Sequence, residues 1–234
     1  ESKAYEKSDL AGLVRSEYGV SGFKDLRNTK DEVKKIEKTL VDNGFSVKAY
    51  LGSKGNAESF VALNGKAPSI VHIATHGFYY TPDEAKDKDF LRGYTDAMSL
   101  SGLVFAGGNA AWLGKKNVDG VLGGVLTAKD IANLDFKGTD LLVLSACKTG
   151  QGKVTAEGVF GLQRAFKKAG VGTIIMSLWN VDDKVTSEFM VAFYEQLTDK
   201  ANNWNKRKAF EQTKEIIRKE HPDPYYWAAF VMLD

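Results

Sequence analysis

The chain has 234 residues, with 32 Lys and Arg against 30 Asp and Glu, three His and one Cys. A formal net charge of +2 gives no field that argues for nucleic acid or an anionic membrane surface, and a single cysteine excludes an internal disulfide and a Cys-rich zinc site. The length provides for one large α/β domain with ample core, the lone thiol suits a reducing, cytoplasmic setting, and no stretch approaches the ~20 apolar residues that cross a bilayer. The chain begins at Glu1 rather than Met, as a segment of a longer protein would, so the lack of a signal peptide carries no weight.

Residues 1–28 are polar and punctuated by glycine, with weak periodicity at Leu10, Leu13 and Val14, and read as a linker or N-terminal extension. A helix is expected from Thr29, which can cap it, through Glu32, Val33, Ile36 and Leu40 to a stop at Asn43-Gly44. Residues 45–51 alternate Phe45, Val47, Ala49 and Leu51 in the manner of a strand. A short helix through Phe60 and Leu63 follows. Ile70, Val71, Ile73 and Thr75 then make residues 69–75 a strand that runs into His76-Gly77-Phe78-Tyr79-Tyr80, where regular alternation stops. The stretch 81–133 is irregular and Gly-rich, with a strand expected over 98–106 and a helix start over 127–131. So long a connection is usually functional or mobile, and in an enzyme 81–126 would be the gate over the site.

From Asp140 the pattern becomes strongly βα. Leu141-Leu142-Val143-Leu144 is an apolar run that continues into Ser145-Ala146-Cys147, and it reads as a strand buried on both faces. A helix over 156–168, a strand over 173–179, helices over 183–197 and 205–220 and a closing strand over 226–233 complete the chain. Strands alternating with helices at this spacing imply a mainly parallel sheet covered on both faces.

If the strands before His76 and Cys147 run parallel, both residues lie just past carboxyl ends on one rim, where open α/β sheets bind ligands. A thiol and an imidazole are the minimal pair for nucleophilic catalysis. Gly77 allows a backbone N–H to face a developing oxyanion together with that of Cys147, and Gly150 and Gly152 leave space beyond the thiol. The plain alternative is that Cys147 is a small buried apolar residue. His72 and His76, four apart on a strand, stand ~13 Å from each other and cannot share a metal, so His72 reads as a core residue supporting the site and His221 as a solvated helix cap. Gly150-Gln151-Gly152-Lys153-Val154-Thr155 lacks the third glycine of a dinucleotide loop. In Trp179-Asn180-Val181-Asp182-Asp183 one acid caps the following helix, and the other is free to sit in a specificity pocket.

His72-Ile73-Ala74-Thr75-His76-Gly77-Phe78, Ser145-Ala146-Cys147-Lys148-Thr149-Gly150, Glu157-Gly158-Val159-Phe160-Gly161-Leu162-Gln163-Arg164-Ala165-Phe166, Ser177-Leu178-Trp179-Asn180-Val181-Asp182-Asp183 and Tyr226-Trp227-Ala228-Ala229-Phe230 resemble, in order, the successive blocks of CHAT domains. These are caspase-like modules often joined to tetratricopeptide repeats in bacteria. The resemblance runs from about residue 29 to the C-terminus. It implies an α/β fold of the caspase-like three-layer kind: a mostly parallel six-stranded sheet, flanked by helices, with an antiparallel edge strand. It also implies a cysteine endopeptidase with His76 and Cys147 as its dyad and the backbone N–H groups of Gly77 and Cys147 as its oxyanion hole. No cofactor or metal is implied. In the related separases, a stretch similar to residues 179–183 supplies acid to a pocket for a basic residue, which makes Trp179, Asp182 and Asp183 pocket candidates. Asn180 stands where that stretch has its first acid, so a strict preference for Arg is not implied. The expected partner is a protein or peptide substrate, with regulatory repeats or a partner outside this chain. The alternative is a caspase-like signalling and interaction module without catalysis.

Overall fold

The structure, a computed structural model, describes residues 23–80, 82–85, 95–112, 124–145 and 156–234. Cys147, Gly150, Gly152 and the loop 150–155 lie outside the described residues, as do residues 81, 86–94 and 113–123 of the stretch expected to gate the site. Among the described residues the strands are β1 (Ile70–Ile73), β2 (His76–Tyr79), β3 (Ser101–Val104), β4 (Val125–Thr127), β5 (Leu141–Leu144), β6 (Thr173–Ser177) and β7 (Phe230–Leu233). The long helices are α1 (Thr29–Asp42), α2 (Ala156–Lys168), α3 (Asp183–Thr198) and α4 (Lys206–Glu220).

The apolar run at 141–144 becomes β5, buried at every position. It lies between β1 and β6 in a sheet of order β1-β5-β6-β7, parallel to both, and β7 pairs antiparallel with β6 at the edge. Alternate side chains of these strands enter two separate cores. Leu142, Leu144, Ile174 and Met176 join Leu162, Ala165 and Phe166 of α2 on one face. Leu141, Val143 and Ile175 join Ile36 and Leu40 of α1, Phe189 and Phe193 of α3 and Phe210 of α4 on the other. A strand covered on both faces has no use for polar alternation, which is why these segments read as continuous apolar runs. Across the second core Phe189 stacks on Phe230 with ring centroids 3.8 Å apart. The result is a helix–sheet–helix sandwich.

The expected six-stranded sheet appears, among the described residues, as four strands beside a separate three-stranded antiparallel sheet of order β2-β3-β4. Residues 45–51 form no ladder. Their burial alternates along the segment and Phe45 and Val47 pack on the second core, so the side-chain periodicity is that of a strand while the backbone has no strand partner among the described residues. The strand expected over 69–75 ends at Ile73 as β1, and the segment after it, His76–Tyr79, is a second strand, β2, buried throughout. The closing strand is shorter than its apolar pattern: Asp223 caps and Pro224 opens a helical turn, Pro224–Trp227, before β7 begins.

Helix ends follow local chemistry. The cap of α1 is Asn28, with no side-chain cap hydrogen bond. Thr29 instead donates its hydroxyl proton to Leu26 O at 2.8 Å. At the other end Gly44 adopts φ +87°, with Gly44 N–H on Val41 O and Phe45 N–H on Leu40 O, the double bond pattern that closes a helix through a left-handed glycine. The helix start expected at 127–131 is the short helix Ala128–Ile131 with a capping box between Thr127 and Asp130.

Gly102 is where β3 comes closest to its neighbours. A Cβ there would lie 2.2 Å from Leu126 O and 2.7 Å from the Phe78 ring. Gly102→Ala should therefore cost about 3 kcal/mol in urea unfolding, the upper end of overpacking. A change under about 0.5 kcal/mol would show that the β2-β3-β4 sheet yields freely at this point.

Candidate active site

Two strand ends create the site. β1 and β5 are parallel neighbours in register from Ile70 opposite Leu141 to Ile73 opposite Leu144. Ser145 N–H continues the ladder by donating to Ile73 O at 2.9 Å. Beyond Ile73 the chain leaves this sheet, and Thr75 donates its hydroxyl proton to Val104 O as β2 begins at His76 opposite Val104. Beyond Ser145 the described backbone stops two residues short of Cys147.

His76 is buried, 8% exposed. Its Nε2 lies 2.5 Å from the backbone carbonyl of Lys24. A carbonyl can only accept, so Nε2 carries the proton and Nδ1 is the ring's acceptor in the neutral form. The ring also meets that of Phe23, with centroids 5.1 Å apart. Gly77 is buried next to it in β2. Tyr80 N–H donates to Leu100 O at 2.9 Å, and the alternation of an antiparallel ladder then directs the backbone groups of Phe78 and His76 toward β3 and those of Gly77 away from it.

A cavity of about 430 Å³ opens at this rim, lined by Leu26, His76, Ser145, Asn180, Val181, Asp182, Asp183, Thr186, Tyr225 and Tyr226. It brings His76 together with both expected acids. Each acid also has a structural duty. Asp182 is the N-cap of α3, where its Oδ1 accepts from Lys184 N–H at 2.9 Å and Val185 N–H at 3.3 Å. Asp183 Oδ2 accepts from the Asn28 backbone at 3.1 Å and from its side-chain amide at 2.7 Å, tying the start of α1 to the start of α3. Trp179 stands behind the wall: its indole N–H donates to Tyr225 O at 2.9 Å, and Tyr225 in turn donates its hydroxyl proton to Asn180 O.

His72 sits below the rim on β1. Its Nε2 lies 2.8 Å from Glu32 Oε1, and Tyr194 OH is 3.4 Å from its Nδ1. With the ring's proton on Nε2 toward the carboxylate, the phenol is the donor to Nδ1. Burial first, then the Glu32 charge, pushes the Tyr194 hydroxyl well above its ordinary pKa, so it keeps that proton. His72 is thus a satisfied core residue, as its apolar surroundings in the sequence implied. His221 is the C-cap of α4 but is half-buried rather than solvated, with Nε2 2.8 Å from Glu188 Oε2. Glu188, Glu220 and His221 bring possible ligand atoms within 4.8 Å of one another. The imidazole is already paired with Glu188, and Lys184 stands 3.6 Å from the same carboxylate, which makes this a tie between α3 and the end of α4.

Sequence reasoning missed the contribution of residues 23–28. Phe23, Lys24, Leu26 and Asn28 all reach the site or its supports, and the only signal was two apolar residues, Phe23 and Leu26, in a polar stretch. The Lys24 group that matters is a backbone carbonyl, which has no sequence signature. Tyr226 falls in the expected closing strand and Tyr225 just before it, and the turn at Asp223-Pro224 is what delivers both to the cavity.

A helix–sheet–helix sandwich with a mostly parallel sheet and a histidine at the rim of its strand ends is the class of protein defined so far. The CHAT domain family model matches residues 12–234, and the chain belongs to that family. It is 32% identical over 111 residues to human tetratricopeptide repeat protein 28 and 31% identical over 111 residues to the mouse protein of the same name. Each match covers 47% of this chain and 4% of the relative, so the chain spans a small part of the curated relatives it matches. Among the described residues no helix is long and apolar enough to cross a membrane.

The buried support beneath the site makes a graded prediction. Glu32→Ala leaves the His72 N–H without its acceptor in a pocket where Glu32 is 1% exposed, and should cost about 2–3 kcal/mol. Tyr194→Phe removes only a long hydrogen bond and should cost about 1 kcal/mol or less. Equal losses in chemical denaturation would show that the carboxylate is not the principal partner of His72.

Proposed function

We propose that this chain is a cysteine endopeptidase whose dyad is His76 and Cys147. The observation that carries the reading is the parallel register of β1 and β5, since His76 and Cys147 each follow the register pair Ile73 and Leu144 by three residues. Cys147 is tethered to Ser145, on the cavity wall, by two residue steps that span at most ~7 Å. Membership of a caspase-like family supports the same reading. The hydrogen bond from His76 Nε2 to Lys24 O leaves Nδ1 as the nitrogen that exchanges a proton with the thiol.

The Cys147 thiolate adds to the scissile carbonyl carbon, and the charge that develops on oxygen is met by the backbone N–H groups of Gly77 and Cys147. Collapse breaks the C–N bond, and the departing amine takes the proton from His76 Nδ1. A water then attacks the thioester, gives its proton to His76, and releases the carboxylate product and the thiolate. No cofactor takes part in these steps. An extended peptide would lie across the strand ends, and Asp182 and Asp183, beside the Tyr225 ring, would receive a basic side chain, with Trp179 fixing the shape of that wall. Regulatory repeats or a partner outside this chain would control access.

Cys147→Ala should lower cleavage of a diverse peptide library, read by mass spectrometry, by on the order of 10⁴-fold or more with melting unchanged. Undiminished cleavage rules out the nucleophile. Lys or Arg before the scissile bond is the expected preference, and Asp183→Asn should reduce it about tenfold; a library with no basic preference removes the pocket and leaves the dyad. A peptide electrophile should label Cys147 stoichiometrically and stop doing so in His76→Ala. A silent signalling module would give no labelling in either.

A further inference from the structure

Resting on the peptidase reading, we propose that Asn109 is a positioning residue that holds the Lys24 carbonyl against His76. The orienting acceptor of His76 belongs to a strand-less strap at residues 23–28, and such a strap needs something to fix it. Asn109 supplies this. Its Oδ1 accepts from Phe23 N–H at 2.6 Å, and its Nδ2 donates to Phe23 O at 2.9 Å. One side-chain amide thereby matches both backbone groups of a residue 86 positions away, the exchange that a facing strand residue makes in an antiparallel ladder. The next carbonyl in the chain, that of Lys24, is the one bonded to His76.

The amide stands on a base packed against the strand that pairs with His76. Asn109 lies in the short helix Gly108–Trp112, and Gly108 sits so close to β3 that a Cβ on it would be 2.4 Å from Val104 Cγ1. Val104 is the register partner of His76. Strand end, helix and strap therefore form a closed circuit: His76 to Val104 across the ladder, Val104 to Gly108 by packing, Asn109 to Phe23 by its amide pair, and Lys24 back to His76. The Phe23 ring adds a second anchor among Phe78, Tyr80, Leu100 and Val104. The apolar anchor holds the strap near the site. The amide pair sets where its carbonyls point, because hydrogen bonds at 2.6 and 2.9 Å are directional and ring packing is not. An orienting group of this kind keeps an imidazole in the tautomer and rotation its partner requires.

The test uses the one cysteine as its own reporter. The rate of Cys147 alkylation by iodoacetamide, measured against pH in the full 234-residue chain, reports how well an imidazolium stabilises the thiolate. Wild type should show an inflection below that of an isolated thiol, about 8.5, and His76→Ala should raise it to that value. Asn109→Leu and Asn109→Ser should each raise the inflection by about one pH unit, which is about tenfold slower alkylation below both inflections, and either variant that melts cooperatively decides the matter. A wild-type profile in a folded Asn109 variant, with His76→Ala shifted, overturns the proposal and leaves the dyad standing. Loss of cooperative melting in both variants also overturns it, because Asn109 would then be holding the domain rather than the imidazole. An unshifted His76→Ala profile overturns the dyad itself.

Discussion

Pairing β1 against β5 in parallel, with Ile73 opposite Leu144, carries two distant parts of the chain to one edge of one sheet. The bond from Ser145 N–H to Ile73 O extends that pairing to the last described residue of the β5 segment. Beyond Ile73 the chain turns to deliver His76, and Ser145 stands on the cavity wall. Nothing local to either segment determines this proximity. It follows from the ladder, because a parallel register fixes the separation of two strand ends as strictly as it fixes the strands.

The ladder is held in turn by burial on both faces. Leu142 and Leu144 face one helical layer while Leu141 and Val143 face the other. A one-residue slip of β5 would exchange the two sets and misfit both cores at once. Chemistry at the rim therefore rests on packing at the centre. The second sheet adds a different element: by taking up His76 as its first residue opposite Val104, it turns the chain sharply at Ala74-Thr75 and leaves the histidine side chain at the junction of two sheets, where a strap from the N-terminal side can reach it.

One buried polar cluster beneath the rim is matched donor to acceptor. Glu32, His72 and Tyr194 come from a helix, a strand and another helix, and the proton order along them is set by what each can do: the carboxylate accepts, the imidazole passes one proton on and receives the phenol's. The same economy holds at the cavity wall. Asp182 caps α3 and Asp183 ties α3 to Asn28, yet each residue lines the cavity. A carboxylate has two oxygens and several lone pairs, so a structural duty on one oxygen does not exhaust its capacity as an acceptor.

Amino-acid order by itself determined the α/β class, because apolar runs buried on both faces and helices with one apolar stripe differ in period. It also determined α2, α3 and α4 closely, and named His76 as the residue to watch. The ordered family blocks identified the CHAT domain before any fold was in view. Only the tertiary structure decided that residues 45–51 have no ladder among the described residues, since pairing needs a neighbour that periodicity cannot supply. The division of the strands into two sheets was likewise decided by what His76–Tyr79 found to pair with. The sharpest case is the surroundings of His76. Its partner is the carbonyl of Lys24, and that carbonyl is held through Phe23 by the amide of Asn109. Backbone carbonyls are the same in every residue, so a site that depends on one is silent in sequence and becomes visible only when the chain closes on itself.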